Sequence, residues 1–288
     1  MRGVPVVVAY ALAESLRRRV FLVVLVLTAA FVALYWLGAN QAFDTVEETR
    51  PPPAAVLAGV DERTLTGATL FGLSMFGTLF LGAVLAAFLT LSVVRGDAER
   101  GLLQPLVVRP IGRGALLLGR FLAAAAVCAV YVLAVFGANL WITWDAGRWR
   151  PDRIAEPALQ LTVAVSVIAA LSLLGSVFLS STANGIAVFM VFGAGLVAGL
   201  LGQIGEVLES DTLVRVAEIS SWTLPFEALY QDGLHAITAD ETGFTEFALQ
   251  LGPFGGAQAA GPFLWPWTAA YLLLVGGAAL AAFARKDL

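Results

Sequence analysis

The segment VFLVVLVLTAAFVALYWLGA, residues 20–39, runs for twenty residues without an Asp, Glu, Lys or Arg. A helix of about 20 apolar residues is long enough to cross the hydrocarbon core of a bilayer, so this segment predicts a membrane-spanning helix. Five more stretches of the chain have the same character. The six predicted spans, numbered 1 to 6 in chain order, cover residues 20–39, 68–94, 121–142, 159–179, 185–204 and 263–284.

The composition of the whole chain supports the same fold class. Hydrophobic residues make up 59% of its 288 residues, and charged residues make up 13%. Soluble domains carry about 25% charged residues, and long apolar runs are typical of membrane proteins. The sequence therefore predicts an all-α integral membrane protein with six transmembrane helices, built as one transmembrane domain over residues 1–288.

Positive charge is concentrated on one side of the predicted membrane. Six spans place both chain ends on the same side, and that side holds eleven of the 17 Lys and Arg residues but only four of the 21 Asp and Glu residues. Cytoplasmic loops of membrane proteins carry the excess of Lys and Arg. The sequence therefore predicts a multi-pass protein of the cell (inner or plasma) membrane with both termini in the cytoplasm.

Two segments outside the spans have a distinctive pattern. The stretch VPVVVAYALAESLRRR, residues 4–19, joins apolar residues to three arginines, which predicts an interfacial helix on the cytoplasmic leaflet; a plain stop signal before span 1 is the alternative. The long outer loop between spans 5 and 6, residues 205–262, holds nine acidic residues and one arginine. Phe244, Phe247 and Leu251 recur there at helical spacing, so this loop is either an amphipathic lid on the bundle or a solvated acidic loop.

Residues that would support catalysis or metal binding are scarce. The only lysine, Lys286, lies in FARKDL, which lacks the glycines of a phosphate-binding P-loop and excludes ATP hydrolysis by that route. Soft metals prefer Cys, His and Met ligands, but Cys128, His235, Met75 and Met190 are scattered along the chain. We therefore expect no catalytic residue, no metal site, no cofactor and no nucleic-acid partner.

The predicted cytoplasmic connection between spans 2 and 3 reads ERGLLQPLVVRPIGRGALLLGR, residues 99–120. Arginine is costly in hydrocarbon and proline interrupts helices, so this segment predicts a short, bent, arginine-bearing element at the membrane surface. It resembles the coupling segment of ABC-2-type transporter permeases, which often read E-x-G-T-L-x-x-L-L-x-x-P-x-x-R-x-x-L-L-x-G-K. The matching residues are Glu99, Gly101, Leu102, Leu103, Pro110, Arg113, Leu116, Leu117 and Gly119, with Arg120 in place of the lysine.

The resemblance to this family also covers the layout of the chain. It includes the N-terminal interfacial helix, the six spans, the large outer excursion between spans 5 and 6, and the FARKDL ending. The stretch ISSWTLPFEALYQDGL, residues 219–234, is similar to the outer segment of the branch often labelled multicopper-enzyme maturation permeases. The scarcity of metal ligands argues against copper as the transported species.

The resemblance implies a permease subunit of an ATP-binding-cassette exporter, powered by a separate ATPase subunit that receives the coupling segment. It also implies a second permease copy or paralogue, as a homodimer or a heterodimer. The residues expected to dock the ATPase are Glu99, Gly101, Leu102, Leu103, Leu106, Arg109, Pro110 and Arg113. Attachment of these arginines to anionic membrane lipid alone is the alternative.

Two other functions stay open at this point. One is a non-transporting membrane scaffold or signalling component with the same fold, and the other is a secondary transporter or channel. The latter is disfavoured because the predicted spans contain no ionisable residue. Gly195 and Gly199 in span 5 form a G-x-x-x-G motif, which predicts a close helix contact within the subunit or between subunits.

Overall fold

The structure is a computed structural model that describes residues 4–17, 19–48, 61–91, 112–240 and 259–285. These ranges form nine α-helices, and no strand occurs in them. The helices are α1 (Val4–Arg17), α2 (Arg19–Glu48), α3 (Glu62–Thr90), α4 (Arg113–Gly147), α5 (Ala155–Phe178), α6 (Ser181–Val207), α7 (Asp211–Thr223), α8 (Pro225–Ala236) and α9 (Leu264–Ala284).

Six of these helices are long and apolar enough to cross a membrane: α2, α3, α4, α5, α6 and α9, which correspond to spans 1 to 6. This confirms the all-α, six-span fold class, and α1 is the short apolar helix that precedes span 1. Several helices are longer than their apolar cores. Span 3, for example, begins at Arg113 rather than at Phe121. Hydropathy marks only the part of a helix that suits hydrocarbon. The backbone hydrogen bonds of α4 extend further towards its N-terminus, as far as the N-cap residue Gly112.

Spans 2 and 4 form the centre of the bundle. Helix α5 packs against α3, α4, α6, α8 and α9. In the most apolar part of α3, 67% of the residues are buried, and in that of α5, 61% are buried. The corresponding shares are 17% for α2 and 22% for both α6 and α9. Spans 1, 5 and 6 therefore present broad apolar surfaces, which suit contact with lipid or with another chain.

The two ends of the bundle are held by different clusters. At one end, Leu117 at the start of α4 packs with Val177 of α5 and Phe283 of α9. We call this the α1 end, because α1 also packs against the start of α4. At the opposite end, the ring of Phe43 lies against Gly147, where the chain leaves span 3.

The described part of the segment between spans 5 and 6 contains two helices that pack on the bundle. Residues 211–223 and 225–236 form the helices α7 and α8, with α7 packed along α6 and α8 packed mainly against α5. We call these two helices the outer hairpin, after the predicted outer loop in which they lie. The proposed lid residues Phe244, Phe247 and Leu251 lie outside the described residues.

Candidate coupling site and outer hairpin

Most of the residues expected to dock an ATPase lie in the segment 92–111, outside the described residues: Glu99, Gly101, Leu102, Leu103, Leu106, Arg109 and Pro110. Arg113, the last of the set, is the first residue of α4. Gly112 precedes it in extended backbone and serves as the N-cap without a side-chain hydrogen bond. The predicted docking segment thus ends where span 3 begins, at the α1 end of the bundle.

The family-pattern residues that follow Arg113 lie in the first two turns of α4. The structure gives a reason for the glycine among them, Gly119. A Cβ atom on Gly119 would lie 2.7 Å from Cγ1 of Val7 in α1, which is closer than side chains approach one another. Val7 itself is only 6% exposed. The absence of a side chain at Gly119 therefore allows α1 to lie directly against the start of span 3.

Arg120 forms an ion pair with the same N-terminal helix. Its guanidinium Nη1 donates to Oε2 of Glu14 over 2.7 Å, and the two side chains are 12% and 27% exposed. The guanidinium also lies 5.9 Å from the centre of the Tyr10 ring. Sequence reasoning placed Arg120 near the membrane interface but gave it no partner, because Glu14 is more than a hundred residues away in the chain.

The G-x-x-x-G motif of span 5 contacts the outer hairpin of the same chain. A Cβ atom on Gly195 would lie 2.5 Å from Cζ of Phe226. A Cβ atom on Gly199 would collide with Oε1 of Glu227 and lie 3.1 Å from Nε2 of Gln231. Both glycines therefore accommodate the start of α8, a contact that the sequence alone could not distinguish from one between subunits.

Two further glycines continue this face of span 5 towards its end. A Cβ atom on Gly202 would lie 2.9 Å from Cβ of Ala217, and one on Gly205 would lie 2.9 Å from the backbone nitrogen of Val214. Helix α7 therefore runs back along α6 in the opposite direction. Gly199 is eight residues before the end of α6. At 1.5 Å per residue, the start of α8 therefore contacts α6 roughly 12 Å before that end, measured along the axis of α6.

The other side of α8 is fixed to span 4 and to the start of the last span. Asp232 accepts a hydrogen bond from Nε2 of Gln160, a fully buried residue of α5. It also accepts one from the backbone nitrogen of Ala260 over 2.8 Å. On the side of span 5, the ring of Phe226 stacks on Phe192 with the ring centres 5.7 Å apart. Helix α8 of the outer hairpin thus packs between spans 4 and 5.

Glu227, in the first turn of α8, is a buried carboxyl group that the sequence did not single out. It is 5% exposed, and its Oε1 atom has no hydrogen-bond partner among the described residues. Burial raises the pKa of Glu227 to about 7, although a hydrogen bond with Gln231 acts in the opposite direction. Sequence reasoning counted this residue with the acidic outer loop. The available signal was its apolar setting, Leu-Pro-Phe-Glu-Ala-Leu-Tyr.

We expect Glu227→Gln to remove a pH dependence from the stability of the chain. A raised pKa means that the folded chain holds this proton more tightly, so the stabilisation is complete below the ordinary value of 4.5 and is lost as pH rises through about 7. At about 1.4 kcal/mol per pKa unit, the rise from 4.5 to about 7 corresponds to a loss of about 3 to 4 kcal/mol. Glutamine keeps the shape of the protonated acid but does not titrate, so the variant gains stability relative to wild type at high pH.

Thermal unfolding in detergent micelles from about pH 5 to pH 8 measures this difference between the variant and wild type. Glu218→Gln, at an exposed position on α7, is the matched control and should follow the wild-type profile. Parallel pH profiles for wild type and Glu227→Gln would contradict the prediction.

The residues considered as metal ligands are far from forming a site. Cys128 is buried in the core of the bundle, and His235 is exposed on α8. Within the described ranges, no group of three or more His, Cys, Asp or Glu side chains is arranged to hold a metal ion.

Comparison with known proteins adds evidence from outside the chain. Residues 6–288 match the family model described as "ABC-2 family transporter protein". The "Probable ABC transporter permease protein NosY" of Stutzerimonas stutzeri is 32% identical over 127 residues, and its counterpart in Pseudomonas aeruginosa is 33% identical over 127 residues. Each alignment covers 44% of this chain and 40% of the relative, so the chain matches less than half the length of these relatives.

The family model spans nearly the whole chain, including all six candidate membrane helices. The names of the two relatives are consistent with the branch of multicopper-enzyme maturation permeases, which residues 219–234 resemble. The bundle of six apolar helices is that of a multi-pass membrane protein. The chain therefore belongs to the ABC-2 family of transporter proteins.

Proposed function

We propose that the chain is the permease subunit of an ATP-binding-cassette exporter and that a separate ATPase subunit supplies the energy. The observation that carries this proposal is the family match over residues 6–288 of a six-span bundle. The relatives named as ABC transporter permeases support it. The lack of a P-loop sequence agrees with ATP hydrolysis on another polypeptide.

In this proposal, the α1 end of the bundle faces the cytoplasm of the cell, with both termini on that side. The imbalance of Lys and Arg along the chain supports this orientation. The ATPase docks on the segment from Glu99 to Arg113. Leu102, Leu103 and Leu106 supply the apolar contact, and Arg109 and Arg113 supply the charge.

The working unit contains two permease chains, as a homodimer or with a paralogue, and two ATPase subunits. The exposed apolar surfaces of spans 1, 5 and 6 are consistent with contact to a second chain and to membrane lipid. On span 5, the glycine face is already occupied by the outer hairpin of the same chain. A second copy would therefore use another face of this helix.

The experiment identifies a neighbouring reading frame that encodes a Walker A motif and co-expresses its ATPase product with the permease. We expect the ATPase to co-purify and its hydrolysis of ATP to be stimulated by the permease. An Asp240→Cys label in a Cys128→Ala background should react from outside intact cells, which checks the orientation. An ATPase that fails to bind would contradict the proposal, and binding without any stimulation would favour the scaffold function.

A further inference from the structure

The start of span 3 is a continuous helix that follows the proposed docking segment. Helix α4 begins at Arg113, and Arg120 follows seven residues later. Seven residues make nearly two helical turns, so Arg120 lies on the same face as Arg113, roughly 10 Å further along the helix at 1.5 Å per residue. A displacement of the first turn of α4 therefore reaches Arg120 through continuous helix.

Among the described helices, α1 packs mainly on the start of span 3 and only lightly against α2. Val7 fills the space left by Gly119, and Ala11 is 3% exposed. One turn beyond Ala11, Glu14 accepts the hydrogen bond from Arg120 over 2.7 Å. The charge-assisted hydrogen bond adds a directional contact to this apolar packing and helps to fix the two helices in one register.

Helix α1 leads directly into span 1. It ends at Arg17, and α2 begins at Arg19. The most apolar part of α2 is only 17% buried, so the bundle restrains this span less than spans 2 and 4. A movement of α1 along the membrane surface would consequently be passed to a span that is less buried than spans 2 and 4.

We propose that the Glu14–Arg120 ion pair is the contact through which an ATPase-driven displacement of the first turn of α4 reaches α1 and span 1. This inference rests on the proposed function and adds a positioning role for two residues of this chain. Glu14 and Arg120 do not bind the ATPase in this arrangement. They make the start of span 3 and the N-terminal helix move as one body.

The test uses the full chain co-expressed with the neighbouring-frame ATPase. Glu14→Arg and Arg120→Glu, made singly, should keep the ATPase bound but reduce permease-stimulated hydrolysis at least tenfold. The double charge swap should restore stimulation to within about threefold of wild type, because the pair re-forms in the opposite sense. Arg63→Glu is the matched control, since it breaks the Glu47–Arg63 pair of equal length, 2.7 Å, at the opposite end of the bundle. Its stimulation should be unchanged.

A neutral double variant protects the test against misfolding. Glu14→Gln with Arg120→Gln removes both charges of this pair together, and it should elute and melt like wild type while still losing stimulation. Full stimulation in this variant would overturn the inference, and so would a charge swap as defective as the single variants. Loss of ATPase binding in the single variants would place these residues in the docking surface and overturn it as well. A wild-type chain that binds no ATPase would overturn the proposed function and this inference with it.

Discussion

A chain carrying Arg109→Glu and Arg113→Glu should lose its ATPase subunit and all stimulation of ATP hydrolysis, while still inserting and dimerising. If both arginines meet acidic groups of the ATPase, reversal replaces attraction with repulsion. Truncating one partner of a buried charge pair costs about 2 kcal/mol or more, which is roughly a 30-fold loss of affinity for each pair. Folding should survive, because Arg113 is the first residue of α4 and a carboxylate is favourable at a helix N-terminus.

The competing explanation is that the two arginines only attach the loop to anionic lipid, at about 1 kcal/mol each. In that case reversal weakens the membrane contact, but the ATPase stays bound and fully stimulated. Co-purification and the rate of phosphate release distinguish the two outcomes. Arg285→Glu is the control, since it reverses an exposed charge at the same end of the bundle, outside the docking segment. This variant should keep its ATPase.

Replacing Gly199 with leucine should detach the start of α8 from span 5. The side chain would enter the space that the Glu227 carboxyl and the Gln231 amide occupy. Overfilling a packed contact costs up to about 3 kcal/mol, which corresponds to a fall of roughly 6–12 °C in the thermal midpoint of a chain of this size. We expect a fall in this range in detergent micelles, together with increased proteolysis between α7 and α8.

The same helix supplies a control for this substitution. Gly193 lies two turns before Gly199, is also half-buried, and has no atom within 4 Å of an added Cβ, so Gly193→Leu should melt close to wild type. A second test pairs Gly199→Ala with Glu227→Ala, because removing the carboxyl restores room for the new methyl group. Equal destabilisation by leucine at positions 193 and 199 would contradict the assignment of this contact.

The sequence predicted the fold class and the family from two local properties. The number of spans follows from apolar runs of about 20 residues, because only a helix satisfies its own backbone hydrogen bonds in hydrocarbon. The prediction of a docking segment rests on arginines and prolines between two such runs, and it stays a prediction. Neither property depends on which helices are neighbours. The predicted ends of the helices were less accurate, since α4 begins eight residues before the start suggested by hydropathy.

The residue contacts around both ends of the bundle required the tertiary structure. Glu14 and Arg120 are distant in sequence, and only the packing of α1 on span 3 brings them within 2.7 Å. Glu227 reads as one more acid in an acidic loop until α7 turns back along span 5 and carries it against Gly199. Hydropathy along the chain thus determined by itself which segments enter the membrane. Which polar groups are buried together was decided only by the tertiary structure, because desolvation of a side chain depends on neighbours supplied by other helices.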